Sequence, residues 1–368
     1  MKFLIVGAGP SGLFSALLLK RSMPDASVEV IERGARGVTI GFGVAFTSSG
    51  LEHLAPAAPD IFASIEASLW PLHGQRFILE GKAVDLPAMS RAGAIERLQL
   101  LKILTSACEA ADVQIRYETR VETLEEFAPE YDLVVAADGA GSVARRELAG
   151  RLGQHVGNQL GNRMAWFGVR RTYERPTLSF KAIPGGVAIG HYYPYAADMS
   201  TFVAELDSGA FAAAGLADMD PASAKSAVEK LFVNDLGNHE LVDNNSFWRS
   251  YAPVSLDRWH AANIVVIGDA ARPAHPSIGQ GCRLAMWDAM MLVEALRETG
   301  EVGAALDSFE AGHKHRRERM NAAATASFLW YEDVGAKLHW DIKDFVGDYL
   351  GRTGRLDPND VRALLEKA

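Results

Sequence analysis

A glycine-rich turn between two apolar runs near the N-terminus constrains the fold more than any other feature. Residues 3–6 (FLIV) have no polar alternation, which is typical of a strand buried on both faces. The turn of residues 7–12 (GAGPSG) follows, and a helical pattern begins at Leu13. A second apolar run, residues 28–31, ends at Glu32, twenty positions after the last glycine of the turn. This order predicts a β-α-β unit of a doubly wound α/β fold.

The spacing Gly7-x-Gly9-x-x-Gly12 matches a dinucleotide-binding turn. The first glycine permits the tight turn, the second lets the backbone approach a pyrophosphate, and the third lets the helix pack on the strand. The N–H groups that begin the helix favour phosphate, and the carboxylate of Glu32 can accept hydrogen bonds from ribose hydroxyls. The motif alone does not distinguish NAD from FAD. The predicted dinucleotide site comprises Gly7, Gly9, Pro10, Ser11, Gly12, Glu32 and Arg33.

Two further motifs each follow a buried strand. Residues 138–145 (DGAGSVAR) come after the apolar run 131–137, and residues 268–271 (GDAA) come after the apolar run 263–267. Gly-Gln-Gly at residues 279–281 lies a short distance beyond. In this order and spacing, the three motifs resemble those of the FAD-dependent single-component aromatic hydroxylases, the para-hydroxybenzoate hydroxylase group. The resemblance covers roughly residues 1–300.

The resemblance implies a Rossmann-like FAD-binding domain of the GR2 type, interleaved with an antiparallel-sheet substrate domain. It implies FAD as the cofactor, NAD(P)H as the electron donor, and hydroxylation of an electron-rich aromatic substrate by O2 through a C4a-hydroperoxyflavin. The protein's share of such chemistry is to orient the ring, tune the flavin and exclude water. By resemblance, further FAD contacts come from Arg97, Asp138, Gly139, Arg145, Gly268, Asp269, Gly279, Gln280 and Gly281.

Three other segments narrow the resemblance to one branch of the family. Residues 41–46 (GFGVAF), 198–205 (DMSTFVAE) and 257–260 (DRWH) are similar to segments of the branch that holds the violacein-pathway indole hydroxylase and the aryl-CoA (salicylyl-CoA) hydroxylases. An indolic, phenolic or aryl-thioester substrate and a role in secondary metabolism are implied. Two positions depart from the family pattern: Arg272 replaces the usual histidine and Arg283 the usual asparagine. They could add positive charge near an anionic flavin or substrate, or form surface salt bridges.

The strand and helix patterns predict a discontinuous domain organisation. Segments with the alternating pattern of half-exposed strands lie between the segments typical of a doubly wound fold. The last third of the chain has the periodicity of helices. The predicted FAD-binding domain comprises residues 1–70, 93–155 and 260–300, the substrate domain comprises residues 71–92 and 156–259, and residues 301–368 form a C-terminal helical segment.

Candidate catalytic residues lie in two segments. In residues 189–195 (IGHYYPY), alternation places His191, Tyr193 and Tyr195 on one face of a strand and Tyr192 on the other. Those facing the flavin could bind a substrate hydroxyl or N–H, or simply pack the sheet. In the third motif, His275 and Pro276 occupy the loop that the family places at the flavin and substrate. His275 could titrate near neutrality as an acid or base, or could bond only to the backbone.

Residues 313–317 (HKHRR) form a run of charge on a predicted helix. Such a run is most often a solvated face, and a phosphate site for a coenzyme A substrate is the alternative. No metal site is expected, because histidines at i and i+2 point apart on a helix and the cysteines, Cys108 and Cys282, are far apart in sequence.

The composition and charge argue against several classes of protein. A formal net charge of −9 disfavours nucleic-acid partners. No apolar stretch reaches the roughly 18 residues of a membrane span. A cytoplasmic monomer or homodimer is expected. A NAD-dependent dehydrogenase would have only the first motif, so the second and third motifs argue against it. Two alternatives are compatible with all three motifs: an epoxidase that receives reduced flavin from a separate reductase, and a non-catalytic redox-responsive flavoprotein.

Overall fold

A computed structural model describes residues 1–273, 275–279 and 281–367. The strands of this part of the chain are β1 (Lys2–Val6), β2 (Ser27–Ile31), β3 (Gly43–Thr47), β4 (Trp70–Leu72), β5 (Gln75–Leu79), β6 (Lys82–Leu86), β7 (Ala92–Glu96), β8 (Gln114–Arg116), β9 (Leu133–Ala136), β10 (Gln154–Val156), β11 (Arg163–Val169), β12 (Thr177–Ile183), β13 (Gly186–Pro194), β14 (Ser200–Leu206), β15 (Leu241–Val242), β16 (Val254–Leu256), β17 (His260–Ala261) and β18 (Ile264–Val266). The α-helices are α1 (Pro10–Ser22), α2 (Ser48–Glu52), α3 (Pro59–Ala67), α4 (Arg97–Ala110), α5 (Val143–Glu147), α6 (Ala149–Leu152), α7 (Ser208–Ala213), α8 (Pro221–Leu231), α9 (Val233–Leu236), α10 (Gly281–Thr299), α11 (Val302–Glu332), α12 (Ile342–Gly351) and α13 (Pro358–Glu366). Short 3-10 turns occupy Ala128–Glu130, Gly268–Ala270, Pro276–Ile278 and Val334–Lys337.

The first of two large sheets has the strand order β17-β18-β9-β1-β2-β8. The central strand β1 pairs in parallel with both β2 and β9, so that Leu4 lies opposite Glu29 on one side and Val134 on the other. Only β17 is antiparallel to its neighbour. Parallel sheets are covered on both faces, which explains why residues 3–6 are apolar without alternation and are buried.

Helices cover this sheet and carry its core. Every residue of α1 from Pro10 to Leu19 is buried, and α1 packs against α4 and α10. In α4 the buried positions Leu100, Leu104 and Cys108 recur every four residues, as one face of a helix requires. Burial raises the pKa of the Cys108 thiol to about 12, so this thiol is unreactive at neutral pH.

The second large sheet has the strand order β15-β11-β14-β13-β12-β5-β6. Its neighbours are antiparallel except for one pair, because β5 runs parallel to β12, with Phe77 opposite Leu178. The predicted antiparallel sheet therefore contains one parallel pair near its edge. A parallel pair needs a long crossover connection, and here the chain passes through parts of the first sheet between β6 and β12.

The two faces of the second sheet differ. Its outer face is covered by α7, α8 and α9, and Tyr192 stacks there on Phe202 with ring centroids 5.4 Å apart. Its inner face packs at one end against α11 and α12, through residues such as Phe180, Ile189 and Phe345. His191 and Tyr193 lie on this inner side, as the strand alternation predicts.

A three-stranded sheet, with the order β3-β7-β4, connects the two large sheets. The N–H of Gly43 in β3 donates to Oγ1 of Thr201 at 2.9 Å, and the hydroxyl of Tyr193 donates to the carbonyl of Gly43 at 2.7 Å. The long helix α11 packs on α10 and on the 3-10 turn Pro276–Ile278. The domain boundaries derived from the sequence stay a prediction. Among the described helices, none has the length and apolarity needed to cross a membrane.

Candidate functional site

Close packing requires glycine at two positions of the first motif, and the remaining position borders open space. A Cβ atom on Gly7, whose φ is +104°, would lie 2.4 Å from the carbonyl oxygen of Ala137. A Cβ atom on Gly12 would lie 1.9 Å from the carbonyl oxygen of Gly7. A Cβ atom on Gly9 would have no protein atom within 4 Å. Gly9 therefore borders an open space at the N-terminus of α1, where a phosphate fits.

Glu32 closes the same turn from the end of β2. Its Oε2 accepts the N–H of Ala8 at 2.8 Å and its Oε1 accepts the N–H of Gly34 at 2.7 Å. Each carboxylate oxygen has a second lone pair, so Glu32 can still accept hydroxyl groups of a ligand. The neighbouring Arg33 is exposed.

The second motif holds a buried acceptor without a partner. Oδ2 of Asp138 accepts the N–H of Val143 at 2.6 Å. Oδ1 of Asp138 is buried and has no hydrogen-bond partner among the described residues. Gly139, next in the chain, has φ +81° and borders open space. Because a buried acceptor without a donor is unfavourable, Asp138 fits a ligand that donates a hydrogen bond.

Arg145 connects the second motif to the third. Its Nη1 donates to the carbonyls of Asp269, at 3.2 Å, and Ala270, at 2.6 Å, and its Nη2 donates to the carbonyl of Ala140. Burial lowers the pKa of this guanidinium, and the nearby carboxylates of Asp138 and Asp269 oppose part of that shift. The described contacts of Arg145 thus position two cofactor motifs against each other.

The third motif is held by an aspartate that sequence reasoning missed. Oδ2 of Asp288, in α10, accepts the N–H of Gly268 at 3.0 Å and lies 3.4 Å from Nη2 of Arg272. Both side chains are largely buried. Arg272 is therefore not part of a surface salt bridge, one of the two alternatives for this position, but half of a buried ion pair. The other alternative, added positive charge near a flavin or substrate, stays a prediction. A signal was present in the sequence, since Asp288 interrupts an apolar helix.

Arg97 and the start of α10 approach each other beside this motif. Nε of Arg97 donates to Oγ1 of Thr39 at 2.9 Å, and its Nη1 lies 3.7 Å from Sγ of Cys282. Gly279, with φ +59°, ends the preceding turn, and α10 begins at Gly281. Gln280 lies outside the described residues. Arg283 packs against Gly50, where a Cβ atom would lie 2.4 Å from Cδ of Arg283.

The inner face of the second sheet carries a histidine–carboxylate pair. Nε2 of His191 lies 2.7 Å from Oε2 of Glu205, and Nδ2 of Asn162 donates to Oε1 of Glu205 at 2.7 Å. Glu205 has no exposed surface, whereas 17% of the His191 side chain is exposed. Sequence reasoning found His191 but missed Glu205 and Asn162. The available signal was a glutamate at an inward position of a strand with otherwise apolar neighbours.

His275 lies in the neighbouring loop, where a backbone N–H and aromatic side chains surround its ring. Its Nδ1 accepts the N–H of Ser277 at 3.2 Å, and its ring packs on Tyr251 and Phe328 with centroids 4.9 and 5.9 Å away. Burial lowers the pKa of His275 to about 4. Of the two alternatives for His275, the histidine bonded to the backbone agrees with this geometry, because the ring sits among aromatic side chains. Pro276 begins the following 3-10 turn.

Tyr193 and the charge run of α11 also have defined environments. The hydroxyl of Tyr193 is bonded to Gly43, and burial raises its pKa well above the usual range, so it stays protonated. His313 is buried, with Nδ1 2.9 Å from the carbonyl of Phe309. The expectation of a fully solvated face over residues 313–317 is therefore wrong at its first residue. In the part of the chain that the structure describes, no three metal-ligand side chains come together.

Comparisons with known proteins give consistent matches. The family described as FAD binding domain matches residues 1–327. The chain is 36% identical over 349 residues to a salicyloyl-CoA 5-hydroxylase of Streptomyces sp., covering 91% of this chain and 66% of that protein. It is 33% identical to a 3-hydroxy-4-methyl-anthranilyl-[aryl-carrier protein] 5-monooxygenase of Streptosporangium sibiricum, covering 90% and 89%. It is 30% identical to the protodeoxyviolaceinate monooxygenase of Chromobacterium violaceum, covering 97% and 96%.

A solved structure has the same fold. The tetrameric 2-methyl-3-hydroxypyridine-5-carboxylic acid oxygenase superposes with a TM-score of 0.74 at 18% identity, covering 98% of this chain and 97% of that one. At this level of identity the likeness concerns the fold.

Proposed function

Because the chain belongs to the FAD binding domain family and is an FAD-dependent aromatic monooxygenase, we propose that it adds one oxygen atom of O2 to a phenolic, indolic or aryl-thioester ring. The electron donor is NAD(P)H. The observation that supports this best is the meeting of three cofactor motifs beside a sheet face that carries His191 and Glu205. Two relatives are named for aromatic acyl groups on carriers, salicyloyl-CoA and 3-hydroxy-4-methyl-anthranilyl-[aryl-carrier protein], and a third is named for protodeoxyviolaceinate.

The described residues fit FAD at two independent points, the open space at Gly9 and the partnerless oxygen of Asp138. Glu32 is suited to ribose hydroxyls, and the N-termini of α1 and α10 favour negative charge. Bound FAD supplies two-electron reduction by NAD(P)H and the activation of O2. The proposed cofactor contacts are Gly7, Gly9, Pro10, Ser11, Gly12, Glu32, Arg33, Arg97, Asp138, Gly139, Arg145, Gly268, Asp269, Gly279, Gln280 and Gly281.

His191 is proposed to accept a proton from the substrate at Nδ1. Its Nε2 faces the buried oxygen of Glu205, an acceptor, so the hydrogen bond places the imidazole proton on Nε2. Nδ1 then carries a lone pair, and no described residue bonds to it. Removing a proton from a ring hydroxyl or N–H makes the ring more electron-rich, which favours attack on an electrophilic oxygen.

The aromatic side chains near His191 exclude water. Tyr331 packs on the His191 ring with centroids 5.4 Å apart, and His275 lies between Tyr251 and Phe328. His275 is neutral at physiological pH, since its pKa is about 4, and so adds no charge to this wall. A dry wall prevents premature loss of activated oxygen as peroxide. Pro276 and Tyr193 are proposed to shape the same wall.

Anaerobic mixing of the FAD-loaded protein with NADPH, and separately with NADH, tests the proposal. The flavin absorbance is followed with and without a panel of indoles, phenols and aryl thioesters. We expect one ring class to accelerate flavin reduction, and admission of O2 to yield a product heavier by one oxygen atom. If neither NADPH nor NADH reduces the flavin, whichever ring is present, the enzyme depends on a separate reductase. That result would contradict the assignment of NAD(P)H as the electron donor.

We also propose a cytoplasmic enzyme that is a monomer or a homodimer. Sedimentation equilibrium of the FAD-loaded protein tests the assembly, and a tetramer would contradict it.

A further inference from the structure

The inner face of the second sheet holds a buried glutamate, and its central strands bring no lysine or arginine side chain to that face. β11, β13 and β14 contain no lysine, and their one arginine, Arg163, lies over Phe211 on the outer face, 4.5 Å from the ring centroid. Glu205, in β14, is fully buried on the inner face. A substrate beside His191 therefore meets a carboxylate in a medium of low dielectric.

Two arginines that approach this region from other elements are already engaged by the protein. Arg97 is bonded to Thr39 and contacts Cys282. Arg352, just after α12, donates to the carbonyl of Ser277, at 3.1 Å, and to the hydroxyl of Ser327, at 3.1 Å. The described contacts of Arg352 hold a loop and a helix in place, and Arg97 is assigned to the cofactor, so neither arginine is assigned to a carboxylate on the substrate ring.

We propose that Glu205 is a specificity-determining residue that rejects aromatic rings with a free carboxylate beside the hydrogen-bonding hydroxyl or N–H. The ring that the site takes offers a neutral donor to His191, and its carboxyl group is absent or masked as a thioester or amide. The physical reason is that two carboxylates close together in a buried site repel each other, whereas a thioester or amide brings no charge. This inference rests on the proposed function and names the substrate class of the same site.

Binding to the oxidised, FAD-loaded enzyme tests the inference without catalysis. The flavin difference spectrum is titrated with three probes: 2-hydroxybenzoate, 2-hydroxybenzamide, and the N-acetylcysteamine thioester of 2-hydroxybenzoate. The amide has the size of the acid without its charge, so it separates charge from bulk. We expect the amide and the thioester to bind at least tenfold more tightly than the acid. An acid that binds as tightly as the amide overturns the inference.

Two substitutions at position 205 test whether this carboxylate is the cause. Glu205→Gln removes the charge with little change of shape, and the ratio of acid to amide dissociation constants should fall at least about fivefold. Glu205→Asp keeps the charge and should keep a ratio near that of the wild type. The control is Glu229→Gln, a partly buried carboxylate of α8 on the outer side of the sheet, which should leave the ratio unchanged. An unchanged ratio in Glu205→Gln contradicts the assignment.

The outcome is distinguishable from failure of the proposed function. If aromatic rings accelerate flavin reduction but the acid binds as tightly as the amide, the proposed hydroxylation is supported and the proposed rejection of free carboxylates is wrong. If Glu205→Gln does not fold, the wild-type ratio of the three probes still decides the matter.

Discussion

Nε2 of His191 and Oε2 of Glu205 lie 2.7 Å apart across two neighbouring strands. His191 is paired with Val203, and Glu205 stands two positions further along β14 on the same face, so that the two side chains meet diagonally. Asn162 satisfies the other carboxylate oxygen. The pair holds the imidazole in one orientation and leaves Nδ1 available to a ligand.

Replacement of His191 tests its role as a proton acceptor. His191→Gln should lower kcat for a phenolic substrate about 100-fold, within the range that a positioned base contributes, and should leave FAD content unchanged. The measurement is product formed per second under saturating NAD(P)H and O2. The control is His155→Gln, an exposed histidine 3.1 Å from Asp257. A drop of less than threefold would argue against proton transfer to His191.

A single methyl group at Gly9 should separate cofactor binding from folding. Gly9 has φ −77° and ψ 178°, which alanine adopts, and its Cβ would meet no protein atom. Gly9→Ala should therefore fold normally and lose at least tenfold in FAD affinity, because the methyl group occupies the pyrophosphate path. Fluorescence titration of the apoprotein with FAD gives the affinity. Gly150→Ala, at another glycine with open space, is the matched control.

Arg352 should control how efficiently oxygen transfer is coupled to NAD(P)H oxidation. Of its three described hydrogen bonds, those to Ser277 and Ser327 hold the loop that carries His275, and each is worth about 1 kcal/mol or more. Arg352→Ala should release the loop, admit water and raise the fraction of NAD(P)H consumed without product at least threefold.

Added guanidinium ion at millimolar concentration should partly restore coupling in Arg352→Ala, whereas ammonium should not. The exposed Arg355 offers the control substitution Arg355→Ala. Equal coupling in the two alanine variants would mean that the loop does not depend on Arg352.

The buried pair of Asp288 and Arg272 should contribute to the stability of the third motif. Asp288→Asn leaves Arg272 buried beside a neutral amide, and loss of one partner of a buried pair costs about 3 kcal/mol. Arg272→Met should be destabilising as well, because it leaves the carboxylate with its charge uncompensated. The double variant should lose less than the sum of the two. Urea unfolding of all four proteins completes the cycle, and strict additivity would show that the pair is not coupled.

His275 should make the protein less stable in mild acid. Its pKa falls from 6.5 to about 4 on folding, so the unfolded chain binds a proton between these values and the folded chain does not. Stability from this group is present above pH 6.5 and is lost as the pH falls towards 4, by about 2 kcal/mol between pH 7.5 and 5. His275→Gln should remove this share of the pH dependence of the unfolding free energy. An unchanged slope would mean that the ring is protonated in the folded protein.

The cofactor motifs were predictable from the sequence because they depend on neighbours in the chain. The turn at Gly7, the helix after it and the carboxylate of Glu32 form one β-α-β unit of about thirty residues, whose spacing is dictated by strand and helix geometry. The alternation of residues 189–195 likewise predicts which tyrosines share a face with His191. Such patterns have a period or a spacing that local sequence displays.

The partners of these residues were decided only by the tertiary structure. His191 finds Glu205 through strand register, Arg272 finds Asp288 through the packing of α10 on the GDAA turn, and Arg352 reaches Ser277 across 75 residues of chain. The neutrality of His275 has the same origin, because Tyr251 and Phe328 desolvate its ring from distant segments. The sequence by itself determined the cofactor turn and the class of fold, since these follow from local geometry. Which side chains pair, and in which charge state, depends on contacts between distant segments, and only folding brings those together.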